Sequence, residues 1–399
     1  MVAGSPGLLV SQSLSEPELL LDASRLIWRA STGRLPTGID RVCLAYIDHY
    51  RHQARAVVQY GALRHILSPI HSSRLFALLL GGGDRFKQEA AQLVFAALGS
   101  PKGGGNGKRS IYLNIGHTGL DRPGLDVWIA RSGVRPIYLL HDLIPVTHPE
   151  YCRAGEREKH ERRLDLMLKT GIGLICNSAA TRDAVADYAT ARRVSLPPSR
   201  IAWLGATPLT GKGDLDPPTF PYFVMLGTIE GRKNHLLILQ IWAEMIRDVG
   251  PSAPRLLIIG QRGWECEQVT AMLDRSCTLR GHVTELPRCS DAALAAHLRH
   301  ARALLFPSFV EGFGMPLVEA LGHGTPVIAS DIAVFRELAA QVADYVLPTD
   351  GVGWRTAIEA YAQPSSRRRA AQLARLAGYH PPTWAAHFEN VDNWLASLV

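Results

Sequence analysis

Two glutamates, Glu311 and Glu319, stand eight positions apart in "LLFPSFVEGFGMPLVEALGHGTPVIASD" (304–331), with Gly312, Gly314 and Pro316 between them. Pro316 suits the first position of a helix, and Gly322 or Gly324 suits its stop. Glu311 then lies just before the helix and Glu319 about one turn inside it. Glycines let the backbone approach a ligand closely, and free N–H groups at a helix start favour a phosphate. The acids would repel that phosphate, so they suit neutral hydroxyls, such as those of a sugar or ribose. An anion cradle with two hydroxyl acceptors fits a nucleotide sugar. The bland alternative is a capped helix with two surface acids.

A second constellation, "GTIEGRKNH" (227–235), follows the apolar run "YFVML". Arg232 and Lys233 at a strand-to-helix turn offer fork and point-charge contacts to a diphosphate. Cations there oppose the helix dipole, which favours a ligand over a solvated basic pair. His141 and Asp142 end the run "PIYLLHD", where a histidine donates to a sugar hydroxyl or phosphate, or caps the strand. "GRLPTGIDRV" (33–42) supplies a glycine-containing loop and then Arg41 at a helix start. "NIGHTGL" (114–120) places His117 between two glycines.

Positioning these loops requires a parallel α/β scaffold, because short apolar runs alternate with helical patterns throughout. "ELLLDAS", "SIYLNIG", "PIYLLHD" and "GLICNSA" read as strands of a first half, and "YFVMLGT", "RLLIIGQ", "ALLFPS" and "PVIASD" as strands of a second. Ligands of open α/β sheets bind beyond the carboxyl ends of the strands, which is where the five polar loops fall. "GSPKGGGNGKRS" (99–110) reads as a surface loop, and "TPLTGKGDLDPPTFP" (207–221) as an interdomain linker. The expected division is an N-terminal Rossmann-like domain over 1–208, a linker over 209–220 and a nucleotide-sugar domain over 221–382. A last helix, 383–399, belongs with the first domain.

At 399 residues the chain suits two domains, and 47% hydrophobic with 20% charged residues is globular rather than disordered. A net charge of +7 is modest at this length. Six dispersed cysteines without a C-x-x-C pair argue against zinc and a disulfide scaffold, and for a reducing compartment. No secretory leader and no spanning apolar run is expected, hence a cytoplasmic protein, with peripheral contact at an inner membrane open. "GFGMPL" has Leu317 where a dinucleotide fingerprint needs glycine. Asp214-Leu215-Asp216 sits in the linker, so it reads as linker rather than as a metal motif.

The Glu311-x7-Glu319 segment resembles the signature of retaining glycosyltransferases of family 4, with the GT-B fold of two Rossmann-like domains facing a cleft. "GTIEGRKN", "HDLIP", "CNSAATRD" (176–183) and "PTGIDRV" fall in the order such enzymes carry their equivalents. "PTGIDRV" and "NIGHTGL" further resemble the mannosyltransferase-like branch of bacterial polysaccharide synthesis.

The resemblance implies transfer of a hexose from a nucleotide diphosphate sugar, GDP-mannose favoured, to a glycan or lipid-linked oligosaccharide. No metal and no other cofactor is implied. Glu311 would contact the donor sugar's hydroxyls and Glu319 the ribose. The backbone of Phe313, Gly314, Met315, Pro316 and Leu317 would hold the sugar and diphosphate, with Gly227 and Thr228 beside it. Arg232 and Lys233 would neutralise the leaving diphosphate. His141 would reach the transferred sugar across the cleft. Gly38 would lie under the donor, and Asn177 and Ser178 would line the cleft. Arg41 and His117 fall to the acceptor side, with loops 74–84 and 114–124, and the base to the backbone near 279–283. Thr228 stands where many relatives carry an arginine.

Other readings stay open: a nucleotide-sugar 2-epimerase on the same fold, a catalytically inactive scaffold, and a basic module for nucleic acid. The last predicts basic residues clustered with aromatics on one face. Here the charges are dispersed.

Overall fold

The computed structural model describes residues 18–32, 37–61, 63–81, 89, 93, 110–207 and 220–398. Of the expected linker segment 207–221 only Thr207, Phe220 and Pro221 are among the described residues, and of the loop 99–110 only Ser110.

Two sheets form the frame. The first contains β1 (Leu19–Asp22), β2 (Ala54–Tyr60), β3 (Leu63–Ile66), β4 (Ile111–Asn114), β5 (Arg135–Leu140), β6 (Gly173–Cys176) and β7 (Ser199–Ile201), in the order β3-β2-β1-β4-β5-β6-β7. Only β3 runs antiparallel, as a hairpin partner of β2. The second contains β8 (Tyr222–Leu226), β9 (Arg255–Ile259), β10 (Val283–Leu286), β11 (Leu304–Phe306), β12 (Val327–Ser330) and β13 (Asp344–Val346), ordered β10-β9-β8-β11-β12-β13 and wholly parallel.

The central strands are apolar and buried on both faces, as a helix-covered parallel sheet demands. Each sheet reverses its strand order once, between β1 and β4 in the first and between β8 and β11 in the second. A crevice opens at such a switch point, outside the carboxyl ends of the strands. The loops carrying Arg232, Glu311 and His117 follow β8, β11 and β4, and Arg41 lies in the first turn of the helix Gly38–Tyr50 between β1 and β2.

The helix Trp384–Ser397 packs against the first sheet's layer. Tyr46 Oη lies 2.9 Å from His387 Nε2, Tyr50 Oη donates to Asp392 at 2.5 Å, and Asn390 Nδ2 donates to the Ile201 carbonyl at 2.9 Å. Gly173 leaves room for the Trp394 ring, which a Cβ would approach to 2.6 Å.

One expected loop is a helix. Residues 74–81 lie within Pro69–Gly81, because Ser72, Leu75 and Phe76 present a buried stripe at helical spacing. The part beyond, 82–84, lies outside the described residues.

Candidate active site

The turn after β8 is a short 3-10 segment, Gly231–Lys233, closed by Asn234 in the left-handed region. Asn234 Nδ2 anchors to the Pro348 carbonyl at 2.8 Å. The Phe309 amide donates to the Arg232 carbonyl at 2.9 Å, which ties the loop after β11 to this turn. The two segments then share one charge cluster. Arg232 Nη1 meets Glu311 Oε2 at 2.6 Å and Arg232 Nη2 meets Glu230 Oε1 at 2.6 Å. Lys233 Nζ bonds Glu311 Oε1, which also accepts from Ser308 Oγ at 2.8 Å. Lys233 lies over the Phe306 ring, 4.8 Å from its centre.

Burial alone would push the Glu311 carboxyl up. Arg232 and Lys233 outweigh it and hold the group down at about 2, so Glu311 is charged at any working pH. Glu230 is pushed upward by burial against the pull of Arg232, and its Oε2 is buried without a hydrogen-bond partner. Lys233 is pushed downward by burial, with Glu311 opposing. Two acids and two bases make the cluster neutral. This changes the expected roles: both Glu311 oxygens are engaged by the protein, and Arg232 and Lys233 already carry carboxylate partners.

Beyond Glu311 the chain turns through Gly314 at φ 121° into the helix Met315–Gly322, with Pro316 at the second rather than the first helical position. Phe313 and Leu317 bury their side chains, so only their backbone is available to a ligand. The Leu317 amide already donates to the Gly314 carbonyl at 3.0 Å, which removes it from the expected cradle. The amides of Phe313, Gly314 and Met315 have no hydrogen-bond partner among the described residues and form three consecutive donors. The glycines serve packing as well. A Cβ on Gly312 would lie 2.1 Å from the His141 carbonyl oxygen, and one on Gly314 would lie 2.9 Å from Phe335.

Glu319 differs from Glu311 in every contact. It is buried, Thr207 hydrogen-bonds the carboxyl, and its Oε1 has no hydrogen-bond partner among the described residues. The nearest cation is Arg41 of the other domain, Nη1 at 3.6 Å. Burial pushes the carboxyl up to about 7, against the pull of Arg41. Arg41 is aimed here by the residue before it: buried Asp40 accepts from the Thr37 amide at 2.7 Å and pairs with Arg25 at 2.7 Å, fixing the helix start. Arg41 Nη2 also reaches Asp291 at 3.5 Å. Arg41, expected on the acceptor side, therefore sits against Glu319.

On the N-terminal side, His141 is buried, its Nε2 bound to the Ile115 carbonyl at 2.8 Å, which leaves Nδ1 without a hydrogen bond among the described residues. Burial pushes its pKa down to about 4, so the ring is neutral. His117 is also buried, with Nε2 on the Leu139 carbonyl at 2.8 Å and its ring 5.1 Å from that of His141. It supports the loop ends and has little surface to offer an acceptor. Ser178 and Asn177 are likewise used internally. Ser178 Oγ caps its helix and donates to the Gly312 carbonyl at 2.8 Å. Asn177 Nδ2 donates to the His141 carbonyl at 2.8 Å, while its Oδ1 is buried without a partner. Gly38 opens the helix Gly38–Tyr50, and a Cβ there would meet nothing within 4 Å. Gly227, at φ 133°, lies beside the Lys233 side chain, and Gly263 packs closely against Thr228.

The two domains thus touch around Gly312. Glu337 adds a second contact, accepting from the Ala179 amide at 2.9 Å and from Trp203 Nε1 at 2.6 Å. Glu230, Ser308, Asp291 and Glu337 escaped the sequence reading. Glu230 had a signal, an acid two positions before the basic pair; the others are brought to the cleft by folding alone.

Residues 213–350 match the family described as Glycosyl transferases group 1. That segment is similar to the group 1 glycosyltransferase domain. It contains both glutamates, the basic pair and the amide cradle. The chain is 31% identical over 230 residues to the serotype-specific mannosyltransferase WbdA of Escherichia coli, an alignment covering 54% of this chain and 28% of WbdA. It is 33% identical over 141 residues to the O-antigen chain mannosyltransferase RfbU of Salmonella typhimurium, covering 35% of this chain and 37% of RfbU. The chain therefore spans well under half the length of these relatives. The crystal structure of Anabaena Alr3699/HepE in complex with UDP and glucose superposes with a TM-score of 0.66 at 13% identity, over 96% of this chain and 100% of HepE. The architecture is GT-B, two parallel-sheet α/β domains facing a cleft. Among the described residues no helix is long and apolar enough to cross a membrane.

Proposed function

We propose that the protein is a retaining, metal-independent hexosyltransferase that moves mannose from GDP-mannose to a glycan or lipid-linked oligosaccharide during surface polysaccharide synthesis. The observation that carries this reading is the pairing of Glu319, a buried carboxylate with an unpartnered oxygen, with the free amides of Phe313, Gly314 and Met315 on the same helix start. Hydroxyls suit the first and phosphate oxygens the second. Similarity to WbdA and RfbU, both named mannosyltransferases, favours mannose.

The engaged state of Glu311 bears on mechanism. A carboxylate held by Arg232, Lys233 and Ser308 is a poor nucleophile, which supports a same-face route in which the leaving diphosphate takes the acceptor's proton. Neutral His141, whose backbone carbonyl packs against Gly312, contacts the transferred sugar in this reading. In this reading the protein acts in the cytoplasm, in peripheral contact with the inner membrane where its acceptor lies.

The test is incubation with GDP-mannose, UDP-glucose, ADP-glucose or dTDP-glucose and a lipid-linked glycan acceptor, with product linkage read by NMR. Transfer from GDP-mannose with retained anomeric configuration in the presence of EDTA is the expected result. Transfer from another donor corrects the sugar, and an inverted product or abolition by EDTA overturns the mechanism. Conversion of the donor sugar without acceptor would establish the 2-epimerase instead.

A further inference from the structure

Arg232 and Lys233 are matched one for one by Glu230 and Glu311, so the basic turn presents no net charge to an incoming diphosphate. A diphosphate leaving group still needs positive charge at the moment of transfer. Thr228, at the end of the same strand, cannot supply it. Resting on the nucleotide-sugar reading above, we propose that Arg41 of the N-terminal domain is a donor-site residue that changes partner. Its guanidinium faces the Glu319 carboxylate, and when ribose hydroxyls take that carboxylate it turns to the donor's diphosphate.

Three observations converge on this. Both carboxylate contacts of Arg41 are long, 3.6 Å to Glu319 and 3.5 Å to Asp291, and its side chain is 40% exposed, so little holds the guanidinium in place. Its backbone, in contrast, is fixed, because Asp40 is buried and bonded to Thr37, Arg25 and Arg29. Glu319 Oε1, the atom that faces Arg41, makes no hydrogen bond among the described residues and can accept from a hydroxyl once the guanidinium leaves. Ribose and diphosphate are joined directly in a nucleotide, so a guanidinium at the ribose carboxylate reaches the phosphates by swinging its side chain. Arg41 then reports donor binding across the cleft, joining the two domains through the substrate.

The exchange predicts opposite effects on two probes. In Arg41→Gln, Glu319 loses its competitor but the diphosphate loses its cation. Affinity for the nucleoside diphosphate that the wild type binds, among GDP, UDP, ADP and dTDP, falls about tenfold or more. Affinity for the matching nucleoside, measured at a pH high enough to ionise Glu319 in both proteins, rises about two- to fivefold. Arg41→Lys restores part of the diphosphate affinity, and thermal melting of both variants stays at the wild-type temperature. Calorimetry for the diphosphates and competition NMR for the nucleosides read these shifts. If the diphosphate and nucleoside move by the same factor, or neither moves, Arg41 makes no exchange and the proposal falls while the nucleotide site stands. A wild type that binds none of GDP, UDP, ADP and dTDP removes the nucleotide-sugar reading itself.

Discussion

Glu311 and Glu319 are separated by one turn and the start of a helix, yet the protein treats them in opposite ways. Glu311 is bound by Arg232, Lys233 and Ser308, and held down at about 2. Glu319 has one oxygen without a hydrogen-bond partner, a distant arginine from the other domain, and a pKa pushed up to about 7. The difference teaches what each is for. A buried acid with both oxygens engaged organises its surroundings, whereas a buried acid with one oxygen unpartnered among the described residues keeps an acceptor in reserve. In the reading proposed above, the two residues with the same side chain divide into a structural centre and a binding group.

Removing the first should be the costlier change. Glu311→Ala leaves Arg232 and Lys233 buried against the lone carboxylate of Glu230, and loss of one partner from a buried ion pair costs about 3–5 kcal/mol. Urea denaturation at pH 7 should show that loss, with transfer falling about 100-fold or more because the basic turn no longer holds its geometry. A Glu311→Ala protein as stable as wild type would erase the contrast.

Glu319→Gln should act mainly on the ligand, weakening nucleotide binding by about 1.5–3 kcal/mol with the fold retained. Its pH behaviour sharpens the comparison. The folded pKa of Glu319 is about 7 against an ordinary 4.5, so its stability contribution is complete below about 4.5 and is lost as pH rises through 7. The variant should therefore gain stability relative to wild type between pH 5 and pH 8. Wild-type nucleotide affinity should rise over the same interval, because the carboxylate is the form that accepts from hydroxyls, and the variant's affinity should be flat. Glu311 runs the other way: its contribution is present above about 4.5 and disappears as pH falls through about 2.

The smallest effect is expected at a third acid outside the cluster. Glu337 caps the helix Ala179–Arg192 from the other domain and accepts from Trp203. Glu337→Gln should cost about 1 kcal/mol, the worth of a helix cap, and leave nucleotide titrations unchanged. A large loss of affinity would mean that the contact between domains, rather than the cleft chemistry, controls binding.

Much of the scaffold was legible because apolar runs buried on both faces carry their own signal. All eight expected strands are present. The five unforeseen strands lie outside the central four of either sheet. "ARAVVQY" and "VTEL" mix polar with apolar residues, and "SRI" and "DYV" are three residues long. The helix over 69–81 was mistaken in part for a loop because its six-residue apolar run hides the spacing of the buried face.

The site was legible in its residues and not in their pairings. Sequence alone determined that Glu311, Arg232 and Lys233 lie in turns after strands and that Glu319 lies in the helix beyond a glycine turn, since local spacing and backbone preference fix those positions. Only the tertiary structure decided that the basic pair folds onto Glu311 and Glu230, that Gly312 meets the His141 carbonyl, and that Arg41 faces Glu319. Partner choice among charges is set by distance and burial. Arg41 and Glu319 are 278 positions apart in the chain and meet only because two independently patterned sheets close on one cleft.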